Sequence, residues 1–411
     1  TKTTGLTRSA TCLQLGSRPY SWLAGARADH AAKLQVEEAA GLAAATAGCV
    51  EELGGGTAMA GSGTFATSWS TGCFIRFDDN SYKSMRDDMG RTPAFIAALE
   101  ARLAGHEGQL SVLDIGTGPF ALLAIAAARA GARTVYAIEV NSTVAQLARQ
   151  AIEQAGLTDT ITVFDGFSTD VTLPSKVDVI VSEIVGCVAS EESVFATIRD
   201  AHERFALRPT DPASWIPNRC QTWAAPASWA LHYGLGPPAY DWGGIKRPPR
   251  IFCVDNNLQL LAPPALLEDI DFADPHLPTS GTVHAAAITF EVTNERLAGN
   301  ERAYFQNLCL EGADKAEAAE LAIAVARSFS GVALWPRLVL DVKGDILVEA
   351  RGPAGEPRES SWQTLLPIVS ERPLPVSAGD CVEVNLAVEL GEEVAKAPRY
   401  VLAGNYVAKA N

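Results

Sequence analysis

The sequence predicts an α/β domain with a parallel sheet, followed by an antiparallel β domain, and three observations carry that expectation. From about Ser81 to Phe205, short β-type runs alternate with helical patterns, as in a parallel sheet with crossover helices. At Pro209-Thr210-Asp211-Pro212, two prolines and an aspartate end any helix and favour a turn. Downstream, Pro and Gly punctuate one β-type run after another, the pattern of a barrel or sandwich. The 411 residues also exceed what one core usually absorbs. The expected division is an accessory region over 1–80, an α/β domain over 81–210 and a β domain over 211–411.

Residues 1–75 are rich in Ala, Gly, Ser and Thr, with a helix expected over Lys33–Leu53 that would bury little area. A helix is expected over Thr92–Leu103, with Thr92 capping, Pro93 at the first position and Phe95, Leu99 and Leu103 on one face. Strands are expected at Ser111–Ile115, Thr134–Ile138, Ile161–Phe164 and Val177–Ser182, separated by helices over Ala121–Ala130, Ser142–Ala155 and Glu191–Phe205. The β domain should take strands from Gly331–Val342, Asp345–Ala350, Trp362–Val369, Asp380–Leu390 and Tyr400–Lys409, and Lys315–Arg327 fits helix or strand.

Lys and Arg total 33 against 48 Asp and Glu, a net charge of −15. That balance argues against nucleic-acid binding, which neutralises phosphate, and suits a cationic partner. Eight scattered cysteines form no C-x-x-C pair, so neither a zinc site nor a disulfide framework is expected. No apolar run reaches the ~18 residues of a membrane helix, and no secretion signature is apparent. A cytoplasmic protein, with the nucleus as a second location, fits these features.

The segment Val112-Leu113-Asp114-Ile115-Gly116-Thr117-Gly118 ends a strand and opens a helix, where glycines let the backbone approach a ligand at a helix N-terminus. With Ala121 it satisfies G-x-G-x-x-[GA], so a nicotinamide enzyme must be weighed. Glu139 ends the next strand, where a carboxylate can accept from both hydroxyls of a ribose. Either feature serves any nucleoside cofactor. A different signal lies in Ser182-Glu183-Ile184-Val185-Gly186-Cys187-Val188-Ala189-Ser190-Glu191-Glu192. Glu183 follows a strongly apolar strand, and a glycine-containing loop returns the chain to Glu192. Two carboxylates on one hairpin repel unless a cation sits between them, and a planar guanidinium with five donors is a natural occupant.

In combination these motifs resemble those of the protein arginine methyltransferases, from roughly Tyr82 through the C-terminus. Glu183 through Glu192 resembles the family's double-glutamate loop, and Ser81-Tyr82-Lys83-Ser84-Met85-Arg86-Asp87-Asp88-Met89-Gly90-Arg91-Thr92 resembles its N-terminal signature. The wording is most similar to the seventh, type III member, which stops at monomethylarginine. The resemblance implies a Rossmann-like domain binding S-adenosylmethionine, with S-adenosylhomocysteine as product, then a β-barrel carrying a dimerisation arm at 233–254. It implies that Arg91 holds the cofactor carboxylate, that Tyr82, Asp114, Gly116, Gly118, Glu139, Ser168 and Thr169 line the cofactor, and that Glu183 and Glu192 are catalytic. Met85, Trp362 and Gln363 would contact the substrate, an arginine in a basic protein or peptide, and the enzyme would be a homodimer without a metal. A dimethylating member and a catalytically silent scaffold are the alternatives within the family.

The chain departs from the family pattern at four places. Ser360-Ser361-Trp362-Gln363 stands where most members have Thr-His-Trp, so the ion pair of that His with the acid matching Asp88 is lost. Pro119-Phe120-Ala121 replaces a further glycine after Gly118, which predicts a different loop path. Thr169 replaces an acid that often binds adenine, with Asp170 as a candidate substitute, and Val194 stands at a second Met of dimethylating members. On volume, Val194 and Ser361 would widen the substrate slot. The six histidines match no catalytic position, and Trp335 is expected in the core.

Overall fold

The computed structural model describes residues 63–70, 77–285, 287–391 and 397–409; the helix expected over Lys33–Leu53 lies outside them. Along the chain the elements are β1 (Gly63–Ser70), α1 (Asp79–Asp87), α2 (Thr92–Leu103), β2 (Ser111–Ile115), α3 (Leu122–Arg129), β3 (Thr134–Glu139), α4 (Ser142–Gln154), β4 (Ile161–Asp165), β5 (Val179–Ser182) and α5 (Val194–Arg204). Then come β6 (Trp215–Ile216), β7 (Arg219–Trp229), α6 (Ala230–Gly234), β8 (Arg250–Phe252), β9 (Leu258–Leu260), β10 (Ala265–Asp271), β11 (Gly281–His284) and β12 (Ile288–Glu291). A helical pair follows, α7 (Asn294–Leu310) and α8 (Lys315–Ala326). The last strands are β13 (Ser328–Phe329), β14 (Gly331–Val339), β15 (Leu347–Glu349), β16 (Gln363–Leu365), β17 (Leu374–Pro375), β18 (Cys381–Leu390) and β19 (Arg399–Val407).

The first sheet is parallel, in the order β4-β3-β2-β5-β6. Its central strand β2 is buried at every position, because helices cover both faces of a parallel sheet. Asn141 caps α4 by accepting from the backbone N–H of Thr143 and Val144. Thr92 does not cap α2 as expected; Arg91 occupies that position without a side-chain cap. The Thr92 hydroxyl instead donates to the Met85 carbonyl at 3.0 Å, which ties α1 to α2.

Two antiparallel sheets make the barrel-like second domain. One runs β10-β7-β14-β16-β8 and the other β1-β19-β18-β11. Phe65, Trp69, Leu386 and Leu402 of the second sheet share a core with Val332, Leu334 and Leu365 of the first. Strand β1 lies in the stretch expected to be accessory, yet it pairs with β19 from Gly63↔Tyr406 to Ser70↔Arg399. Only Phe65 and Trp69 of that strand are buried, so its alternation is faint in sequence. Lys315–Arg327 resolves as helix, capped by the Asp314 carboxylate, and packs on α7 through Tyr304, Leu308, Ala318 and Ala322.

The 233–254 segment is partly barrel. Leu235, Trp242, Ile251 and Cys253 are buried within this chain, and β8 pairs with β16. Trp242 packs against Trp229, with ring centroids 5.5 Å apart. Tyr233, Phe252 and Val254 remain exposed.

Candidate active site

A cavity of about 210 Å³ opens at the C-terminal edge of the parallel sheet, where open α/β sheets place ligands. Eleven residues expected there line it: Tyr82, Met85, Arg91, Asp114, Gly116, Gly118, Glu139, Ser168, Thr169, Glu183 and Glu192. Trp362 and Gln363 are not among the lining residues. Trp362 is 8% exposed and holds the loop from behind, and Gln363 is paired with Phe252 in the sheet.

The floor is the turn after β2. Gly116 and Gly118 take φ of +78° and +65°, conformations glycine adopts without a Cβ penalty. Ala121 takes φ +44° as the residue before α3, so the loop completes its left-handed path without the missing glycine, at a cost. Glu139 accepts from the N–H of Gly118 at 3.0 Å and of Asn141 at 3.0 Å. Burial pushes its carboxyl above the usual range despite those bonds. Asp114 accepts from the Thr117 hydroxyl at 2.6 Å and the Ala124 N–H at 3.1 Å. Burial pushes it up to about 7.

The walls come from further away. Tyr82 on α1 packs over Gly118 and meets Phe77 edge-on at 5.7 Å. Arg86 stacks on Phe120, 4.8 Å from the ring centroid. Arg91 donates to the Met85 carbonyl at 2.9 Å and forms an ion pair with Glu183. Two buried polar atoms in this lining lack partners among the described residues, Arg91 Nε and Asp114 Oδ1. Glu192 and Ser193 have φ of +60° and +61°, so α5 starts at Val194 rather than at Glu191. The Glu192 carboxyl lies well above its ordinary range, first through burial and then through the charge of Glu183. It makes no hydrogen bond or ion pair among the described residues.

Sequence reasoning missed Arg204. Its guanidinium donates to the carbonyls of Ser168 at 2.8 Å, Thr169 at 2.6 Å and Val171, and it pairs with Asp200 at 3.2 Å. It thereby fixes the loop that presents Ser168 and Thr169. An arginine in the last turn of a helix carries no local sign of such a task. Thr197, also on α5, lines the cavity; Asp170 does not, and its carboxylate accepts from the Thr169 hydroxyl at 3.4 Å. Val194 is fully buried away from the cavity and Ser361 is not part of its wall, so neither widens it. No described histidine lines it; His202 stacks on Trp215 at 4.9 Å and bonds the Phe272 carbonyl. Trp335 is 3% exposed, in the core as expected.

Comparison with known proteins gives the arrangement a context. A family model described as ribosomal protein L11 methyltransferase (PrmA) matches residues 90–191, the stretch from Arg91 to the acidic hairpin. Protein arginine N-methyltransferase PRMT10 of Arabidopsis thaliana is 38% identical over 144 residues, 35% of this chain and 36% of that protein. Arginine N(omega)-methyltransferase of Streptomyces achromogenes subsp. streptozoticus is 42% identical over 130 residues, 31% of this chain and 35% of that protein. Over this stretch the chain is similar to arginine methyltransferases. The matches span about a third of the length of these relatives. In fold, the chain is similar to the open crystal structure of Arabidopsis thaliana protein arginine methyltransferase 10, with a TM-score of 0.56 at 20% identity over 80% of this chain and 94% of that one. The Trypanosoma brucei PRMT1 enzyme–prozyme complex with AdoHcy gives 0.52 at 19% identity, over 75% and 86%.

Although Ser360-Ser361-Trp362 stands where the resembled family has Thr-His-Trp, the loop is docked. The Ser361 backbone N–H donates to the Asp88 carboxylate at 2.6 Å, and Trp362 Nε1 donates to the Val185 carbonyl at 2.7 Å. The link to Asp88 is thus made by a backbone donor, which supplies no titratable relay.

Proposed function

We propose that this protein transfers a methyl group from S-adenosylmethionine to a guanidinium nitrogen of arginine in a protein or peptide, and that it stops at monomethylarginine. The observation that carries the reading is that Glu183 and Glu192 line one cavity, the Glu192 carboxyl making no ion pair among the described residues and being raised by burial and by Glu183. A bound guanidinium would satisfy both acids. The unpartnered Arg91 Nε and Asp114 Oδ1 fit a polar cofactor carrying both a carboxylate and cationic groups.

When bound, the cofactor supplies an electrophilic methyl on a sulfonium and leaves as S-adenosylhomocysteine. Glu139 would hold the ribose, the backbone of the left-handed turn would approach the cofactor, and Arg91 would receive its carboxylate. Tyr82 covers the site and excludes water. Glu183 and Glu192 align one terminal nitrogen for in-line transfer, and a carboxylate accepts the proton because free arginine does not release it near neutral pH. The monomethyl limit is supported by a slot walled by Met85, Glu183 and Glu192, with Val194 buried outside it. Exposed Tyr233, Phe252 and Val254 support docking of the 233–254 segment on a second copy.

A second reading, free arginine as substrate, is favoured by the Streptomyces relative's name. One experiment separates these. Mass spectrometry after incubation with S-adenosylmethionine and either an arginine-rich peptide or free arginine should show a single methyl on peptide arginine. Modification of free arginine alone would move the substrate class, and abundant dimethylarginine would end the monomethyl reading. Calorimetry should show binding of S-adenosylhomocysteine and not of NAD; the reverse would sink the whole assignment. Light scattering at micromolar concentration should give a dimer.

A further inference from the structure

Directly behind the acid that lines the cavity stands a second one that does not. Glu191 is fully buried, with one oxygen turned into the hairpin and the other toward β8. One accepts from the Cys187 N–H at 2.7 Å, and the other pairs with Arg250 Nη2 at 3.2 Å. Arg250 Nη1 also donates to Cys187 Sγ at 2.9 Å, so a single guanidinium holds both ends of the turn that separates Glu183 from Glu192. Gly186 makes room for this: a Cβ there would lie 2.0 Å from Glu191 Oε2. Burial pushes the Cys187 thiol up to about 12, so it serves as a neutral neighbour.

The next two residues are the left-handed Glu192 and Ser193. Non-glycine residues hold that conformation only where their surroundings over-determine it. On one side α5 begins at Val194, buried in the core. On the other side, the Glu191 carboxylate is the anchor. Further links tie the hairpin to the barrel. The Ala189 N–H donates to the Thr222 hydroxyl at 2.8 Å, and the Ser190 hydroxyl donates to Tyr400 at 3.2 Å. Arg250 differs from these because β8, on which it sits, pairs with β16 as Leu365↔Arg250 and Gln363↔Phe252. It therefore joins the acidic hairpin to the strand that follows Trp362.

We propose that Glu191 and Arg250 form a positioning pair that aims Glu192 into the cavity, and that catalysis depends on this pair although neither residue lines the site. The inference rests on the proposed function for its kinetic consequences and on geometry alone for its structural ones. A misaimed Glu192 would leave the guanidinium held by Glu183 only, and errors of about 1 Å in such alignment cost on the order of 100-fold in rate. The pair also sets the charge around Glu192. Burial, Glu183 and Glu191 raise its pKa, whereas Arg250 and Arg91 lower it.

Two variants test the pair with opposite signatures. Arg250→Gln should lower kcat roughly 10- to 100-fold with S-adenosylhomocysteine affinity unchanged. It should move the acid limb of the rate profile to higher pH, because a cation near Glu192 is lost. Glu191→Gln should lower kcat as well but move that limb to lower pH, because a like charge is lost. Arg250→Lys, which keeps the charge without the two-pronged geometry, should retain the wild-type limb at reduced kcat, and it serves if the Gln variant does not fold. A merely structural role would reduce the folded fraction and leave the profile of the surviving enzyme where it was; that outcome, or full wild-type kcat in both Gln variants, overturns the proposal. Amide exchange gives the readout independent of activity. The Cys187 N–H should exchange faster in Arg250→Gln and Glu191→Gln, with the β2 amides unchanged. If wild type methylates no arginine substrate, the proposed function fails, and exchange alone then decides the pair: unaltered protection at Cys187 would refute it.

Discussion

The turn at residues 114–121 and the hairpin at 182–193 both sit at the C-terminal edge of the parallel sheet, and both hold non-glycine residues in the left-handed region, Ala121 in the first and Glu192 and Ser193 in the second. They are held by different means. The first is stabilised locally: Asp114, Thr117, Gly118 and Ala124 bond within ten residues of one another or to Glu139 on the adjacent strand. The second is fixed from the barrel, through Arg250, Thr222, Glu268, Tyr400 and the Trp362 indole. A locally determined loop is suited to a cofactor that many folds bind. One held by a second domain couples substrate alignment to that domain's packing.

On the proposed function the first loop binds the methyl donor and the second aligns the acceptor, so variants should separate the two. The largest effect is expected from Glu183→Gln, with kcat falling about 100- to 1000-fold and S-adenosylhomocysteine affinity maintained in calorimetry, because Arg91 is released from its ion pair rather than lost. A parallel fall in affinity would merge the two loops into one functional unit.

Next is a pH effect confined to the first loop. Asp114 has a folded-state pKa of about 7 against 3.8 unfolded, so between those values the folded state keeps a proton that the unfolded state has released. Stability should therefore fall as pH rises from about 4 to 7, by a few kcal/mol at most. Asp114→Asn should flatten the dependence of Tm on pH between 5 and 8. An unchanged slope would place the cost elsewhere.

Glu139→Ala should weaken S-adenosylhomocysteine by about 1–3 kcal/mol while any residual kcat at saturating cofactor stays near wild type. A collapse of kcat would mean that the cofactor loop also steers the acceptor. The smallest change is Ala121→Gly, expected to stabilise the fold by roughly 0.4–1 kcal/mol in denaturant titration, since the native φ of +44° is strained for alanine. Destabilisation would show that the Ala121 methyl, fully buried in the core, contributes more than the strain costs.

The α/β half was legible because its signals are short-range. Apolar runs mark β2 and β5, glycines mark the turn, and Glu139 and Glu183 end strands; Tyr82, Met85, Arg91, Ser168 and Thr169 came from the family resemblance alone, and all of them line one cavity. The strand-end residues act where the backbone period puts them. Strand β1 was not legible, since Phe65 and Trp69 stand alone among small and polar residues and acquire meaning only against β19, some 330 positions away. Arg204, Arg250 and the buried role of Glu191 were hidden for the same reason: a charged side chain looks like solvated surface until a distant strand or loop removes the water. The Ser361 contact is the clearest instance. Side-chain identity predicted a lost link to Asp88, but a backbone N–H, which every residue except proline carries, made the bond. Sequence by itself determined which chemical groups end the strands and therefore what kind of ligand they suit. Only tertiary structure decided how those groups are aimed, because aim depends on long-range packing and buried charge pairs that no local pattern encodes.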